Sequence, residues 1–141
     1  MERRAVAAWN GPHEPACARR GRGTLRRMAR VLVVDDERGV QESLRLLLKD
    51  EHDVVTVGSV DAALHALGEC PADLVLLDLV MPGRSGLDLL RELSERGDAP
   101  PVLVVSATRA IPAAVEAMKL GAVDFVTKPF EVEGLRIRVR Q

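Results

Sequence analysis

Short apolar runs recur along this chain at regular intervals, and each is followed by a polar group of a particular kind. Val31-Leu32-Val33-Val34 ends in Asp35-Asp36, and Leu74-Val75-Leu76-Leu77 ends in Asp78. Val102-Leu103-Val104-Val105 ends in Ser106, and the stretch from Val123 to Val126 passes through Thr127 into Lys128-Pro129. Runs of this length, alternating with segments of helical period, read as strands buried on both faces of a parallel sheet. In such a sheet the ligand crevice lies outside the carboxyl ends of the strands, where strand order reverses. Three carboxylates, a hydroxyl and an ammonium are therefore aimed at one edge. That set suits a divalent metal and a phosphoryl group.

The segments between the runs complete the pattern. A strand at about 30–35 leads into a helix at 38–50 with Val40, Leu44, Leu47 and Leu48 on one face. Asp53 to Gly58 reads as a second strand, and Ser59 as the N-cap of a helix burying Val60, Ala63, Leu64 and Leu67. A third strand spans 73–77, followed by the loop Met81-Pro82-Gly83. Ser85 and Asp88 form a capping pattern for a helix through about Glu95 that buries Leu87, Leu90 and Leu93. Pro100-Pro101 precedes the fourth strand, Pro112 suits the first turn of the next helix, and Gly121 ends it. A fifth strand runs 123–127. The last helix starts near Glu131, with Val132, Leu135 and Val139 on its inner stripe. Five βα units with short connections predict an α/β domain: a doubly wound, five-stranded parallel sheet with helices on both faces. The strand order 2-1-3-4-5 makes the first and third strands neighbours, about 4.8 Å apart. Asp35, Asp36 and Asp78 then meet.

Composition narrows the function classes. With 141 residues the chain is long enough for one real core, and at 2% aromatic content Val, Leu and Ala must fill it. No apolar run approaches the roughly 18 residues of a membrane span, and the Arg-rich start has no signal-peptide core. Cys17 and Cys70 show neither metal spacing nor a disulfide framework, so a cytoplasmic protein with no membrane contact is expected. Residues 1–30 carry a net charge of +6 and residues 31–141 a net of −7. The acidic part argues against nucleic-acid binding by the domain at 30–141. The basic stretch 1–29 lacks apolar periodicity and reads as a disordered extension; Met28 is an alternative translation start.

Carboxylates brought this close repel, at about 4 kcal/mol per pair at 4 Å and an effective dielectric of 20. Mg²⁺ resolves the conflict, because it takes hard oxygen ligands and leaves positions for a phosphate. One carboxylate can then act as a nucleophile toward phosphorus, with Lys128 neutralising charge on the transferred group. Singly, each group has a plainer explanation. Asp35-Asp36 could cap a helix, Asp78 could serve a turn, Ser106 could be a cap, Lys128 a solvated charge and Phe125 core. The conjunction at one sheet edge is what points to phosphoryl chemistry.

From about Arg30 to Gln141 the chain resembles the receiver domains of bacterial two-component response regulators, the CheY-like fold. The resemblance rests on Val31 to Glu37, Leu76 to Gly83, Val105-Ser106-Ala107 and Gly121 to Phe130, in the family's order. It implies that Asp78 accepts a phosphoryl group from a histidine kinase or phosphotransfer protein. It also implies that Asp36, Asp78 and the backbone carbonyl of Val80 bind Mg²⁺, with Asp35 acting through water. Lys128 matches the phosphate-binding lysine, with a cis bond to Pro129, while Ser106 and Phe125 match the switch hydroxyl and switch aromatic. Such a protein is a phosphoacceptor that assists its own phosphorylation and dephosphorylation rather than an enzyme. Its signal is expected on the face made by the fourth helix, fifth strand and last helix, through a downstream protein or a homodimer; Ile137 should be exposed there. Because the last helix stops at Gln141, a single-domain protein without nucleic-acid contact is expected. The alternative is a receiver module cut from a larger DNA-binding transcriptional regulator. A small Mg²⁺-dependent phosphatase with an aspartate nucleophile fits less well, since Asp35-Asp36-Glu37 is not D-x-D. A dinucleotide fold lacks its glycine fingerprint.

Overall fold

The computed structural model describes residues 28–97, 99–107, 111–130 and 132–140. The expected basic extension over 1–29, the alternative start at Met28 as an argument about residues 1–27, and Cys17 fall essentially outside that set. The described elements alternate strictly. They are β1 (Ala29–Val34), α1 (Arg38–Leu48), β2 (His52–Val57), α2 (Val60–Glu69), β3 (Leu74–Leu77), α3 (Gly86–Arg96), β4 (Val102–Ser106), α4 (Ile111–Lys119), β5 (Asp124–Thr127) and α5 (Val132–Arg140). All strand pairs are parallel and the sheet order is β2-β1-β3-β4-β5, as expected. Boundaries differ from the sequence reading by a residue or two, mostly at frayed ends.

Period-two alternation divides the core into two layers. Leu32, Val34, Val75, Leu77, Val102 and Val104 face α2, α3 and α4 through Val60, Ala63, Leu89, Leu90, Leu93 and Ala117. Val31, Val33, Leu76, Leu103, Val105 and Val126 face α1 and α5 through Leu44, Leu48, Leu135 and Val139. The apolar runs are continuous because both faces are covered. Leu89 joins the buried face of α3 beside the expected Leu90 and Leu93, while Leu87 is only partly buried. Val132, expected on the inner stripe of α5, is half exposed, because as the first residue it stands at the helix end rather than over the strands. Val123, expected to open β5, lies before it and is also exposed. Among the described residues no helix is long and apolar enough to cross a membrane.

Local signals act where the sequence placed them. The Ser59 side chain accepts from Ala62 N–H at 3.1 Å, capping α2. The Asp88 carboxylate accepts from Ser85 N–H at 3.0 Å, one half of a capping box.

Candidate functional site

Strand order reverses between β1 and β3, which opens a crevice at the carboxyl ends of the strands, and backbone bonds fix its walls. Asp78 N–H donates to the Val34 carbonyl at 2.9 Å, Asp35 N–H to Val57 at 3.1 Å, and Lys128 N–H to Ser106 at 2.9 Å. Each functional residue thus leaves the sheet while still tied to the neighbouring strand. Asp35 and Asp78 are buried, Asp36 is exposed, and carboxylate oxygens of the three lie within 4.8 Å of one another.

Asp78 is the most heavily contacted of the three. Its Oδ1 accepts from the Ser106 hydroxyl at 2.8 Å and from Val80 N–H at 3.1 Å. Its Oδ2 lies 3.4 Å from Lys128 Nζ. Lys128 sits closer to Asp35, at 2.6 Å from Oδ2, and 4.0 Å from the Glu37 carboxylate. Burial pulls the Lys128 pKa down, but the hydrogen bond and charge of Asp35, with Asp78 behind them, outweigh it and the net shift is upward. The ammonium is thus held charged in a largely dry position, where it offsets part of the carboxylate repulsion. The Lys128-Pro129 peptide bond is cis.

Most of the residues proposed from sequence gather at the crevice. Asp35, Asp36, Asp78, Ser106 and Lys128 surround one point, and Val80, an exposed residue, borders it with its N–H on Asp78. Phe125 is half-buried and packs against the layer that includes Val104, its register partner on β4. Ile137 is exposed, as expected.

A donor set of three hard carboxylate oxygens fits Mg²⁺. Adjacent oxygens around an octahedral Mg²⁺ stand about 3 Å apart and opposite ones about 4 Å, so carboxylates whose oxygens lie within 4.8 Å of one another would draw together on binding it. Asp36, being exposed, leaves the cation a route from solvent.

Against known proteins, a family model described as the response regulator receiver domain matches residues 31–140. The chain belongs to this family. Among curated relatives, the transcriptional regulatory protein CiaR of Streptococcus pneumoniae is 35% identical over 113 residues, covering 80% of this chain and 50% of its own length. The transcriptional regulatory protein FixJ of Azorhizobium caulinodans is 44% identical over 112 residues, covering 78% and 53%. The receiver domain thus spans about half the length of the curated relatives it matches. Solved receiver domains superpose closely. The BeF3-activated DrrB receiver domain gives a TM-score of 0.74 at 27% identity, covering 80% of this chain and 95% of its own. The signal receiver domain of a LuxO repressor protein from Vibrio parahaemolyticus gives 0.76 at 27%, covering 80% and 88%. Receiver domains are phosphoacceptors of two-component signalling.

Three residues that line this receiver site escaped the sequence reading. Glu37 places its carboxylate near Lys128 and donates its N–H to Asp35 Oδ1 at 2.9 Å. Gln41, on the first turn of α1, reaches the backbone of the acidic loop. Gly86 opens α3 against the main chain of Asp78 and Leu79. Their sequence signal is weak, since Gln41 and Gly86 meet backbone atoms and the approach of Glu37 to Lys128 is set by the fold.

Proposed function

We propose that this receiver domain carries a phosphoryl group on Asp78, taken from the phosphohistidine of a kinase or phosphotransfer protein. The observation that supports it is the environment of Asp78. One buried carboxylate touches a hydroxyl, a backbone N–H and an ammonium while two further carboxylates close the other side. An Asp78 oxygen attacks phosphorus in line with the leaving imidazole nitrogen; the P–N bond breaks as the P–O bond forms. Asp36, Asp78 and the Val80 carbonyl would hold Mg²⁺, with Asp35 acting through water, and the ion supplies charge neutralisation on the transferring oxygens. Lys128 neutralises a further share, moving from Asp35 toward the new phosphoryl oxygens. Ser106 exchanges its bond to Asp78 for one to the phosphoryl group, which adds about −1.5 to −2 charges at this point.

These new contacts exist only in the phosphorylated form, so they bias a two-state arrangement of the Ser106 loop and the Phe125 ring. The output face is formed by α4, β5 and α5. The exposed Val80 side chain stands beside the path of attacking water and slows hydrolysis of the acyl phosphate. Relatives named as transcriptional regulators favour the second organisation set out above: a receiver module serving a larger DNA-binding regulator. The expected single-domain protein without a nucleic-acid partner has no support from these relatives.

Incubation with Mg²⁺ and acetyl phosphate, followed by intact mass and peptide mapping, tests the reading. One added phosphoryl group on Asp78 is expected, abolished by chelator and by Asp78→Ala. Labelling at another residue, or none in wild type, would reject it.

A further inference from the structure

Within the acidic loop the Asp35 carboxylate accepts the Glu37 N–H at 2.9 Å, a bond that stays inside the loop. Asp35 and Asp36 lie between the end of β1 and the start of α1, where like-charge repulsion, offset in part by Lys128, favours an outward movement of the loop. The Gln41 amide opposes that movement. Its Nε2 donates to the Asp35 carbonyl at 2.6 Å and to the Val57 carbonyl at 3.2 Å. The second acceptor also receives Asp35 N–H at 3.1 Å, so one amide staples the acidic loop to the end of β2 at the point where both leave the sheet. Both partners are carbonyl acceptors, which dictates that the amide nitrogen, not its oxygen, faces them. Gly58 follows Val57, and a Cβ there would lie 3.7 Å from Gln41 Nε2, 3.9 Å from the Asp35 carbonyl and 3.9 Å from Asp36 Cα. A methyl there would make only ordinary contact, so Gly58 leaves the staple open on the β2 side.

We infer that Gln41 is a positioning residue for the cation site, holding the Asp35-Asp36 backbone so that the exposed Asp36 carboxylate faces Asp78. Without the amide, the 35–37 loop relaxes away from β2, and Asp36 must be brought back at each binding event. Groups that orient metal ligands typically govern tenfold or more of affinity. Gln41 touches neither phosphate nor metal, so its effect falls on cation affinity and not on the rate at saturating cation. The inference rests on the Mg²⁺ reading proposed above, and the test separates the two.

Gln41→Met keeps the side chain's length and removes its donor. Calorimetric titration with Mg²⁺ should show affinity about tenfold weaker than wild type. Acetyl phosphate labelling should need about tenfold more Mg²⁺ for half-maximal rate yet reach the wild-type rate at saturation. Amide exchange without Mg²⁺ should accelerate at Asp35 and Glu37 but not in β3 or β4. Equal Mg²⁺ affinity in wild type and variant would overturn the inference, as would faster exchange throughout the sheet, the mark of general loosening. If Gln41→Met does not fold, Gln41→Asn, whose shorter amide cannot span both carbonyls, is read in the same way. Should wild type bind no Mg²⁺, the metal reading fails, and unaccelerated exchange at Asp35 and Glu37 would then overturn the staple as well.

Discussion

Gly86→Ala offers the sharpest physical test, because two well-known effects oppose each other there. Gly86 is the first residue of α3; inside a helix alanine would stabilise by about 0.5–1 kcal/mol through backbone entropy, an upper bound at this end position. Its position forbids that gain. A Cβ at residue 86 would overlap the Asp78 carbonyl oxygen and sit 2.8 Å from Leu79 Cα and 3.1 Å from the Asp78 carbonyl carbon. All three atoms are main chain, and Gly86 N–H is bonded back to the Leu79 carbonyl at 3.0 Å, so neither side can yield cheaply. Overpacking against rigid neighbours costs about 1–3 kcal/mol, which exceeds the propensity gain. The net expectation is a loss of about 1–2 kcal/mol, a fall in Tm of roughly 4–8 °C at about 2.1 cal/mol/K per residue. Gly68, within α2, is the internal control: nothing lies within 4 Å of its Cβ position, and Gly68→Ala should gain stability. Urea denaturation of both variants with an unchanged m-value is the assay. The displaced carbonyl belongs to the phosphoacceptor, so Gly86→Ala should also slow acetyl phosphate labelling. A Gly86→Ala protein as stable as Gly68→Ala would refute the steric argument.

Three further outcomes are expected. Mg²⁺ at ten times its Kd should stabilise wild type by about 1.4 kcal/mol, reversed by chelator, while Asp36→Asn should lose this response yet be slightly more stable without metal, since like-charge repulsion is relieved. Thermal melts with and without Mg²⁺ check both parts, and a metal response retained by Asp36→Asn would count against its role as a ligand. Lys128→Ala leaves the buried Asp35 and Asp78 without their cation and should cost about 3 kcal/mol in the metal-free protein; denaturation in chelator reads the loss, and a near-neutral result would mean the carboxylates are relieved some other way. Ile137→Glu should abolish phosphorylation-dependent association measured by light scattering or partner titration, and unchanged association would remove Ile137 from the output face.

Much of this molecule was legible in one dimension. Four-residue apolar runs, helical spacing and caps at Ser59 and Ser85 are local properties, and the parallel order followed from continuous burial plus right-handed crossovers. The polar group at each strand end was equally visible, since strand termini in such a sheet share one edge. What the sequence could not convey was reach. Asp35 and Asp36 are neighbours in the chain, yet one is buried and the other exposed, and nothing in their order says which. Lys128 rests nearer Asp35 than Asp78, a choice made across 93 positions by strand register. Gln41 and Gly86 matter through contacts with main-chain atoms, which every residue possesses and no composition reveals. Periodicity and end chemistry belong to the chain because they depend on adjacent residues. Which carboxylate meets the ammonium, and which glycine has no room, depend on distances that exist only once the sheet has closed.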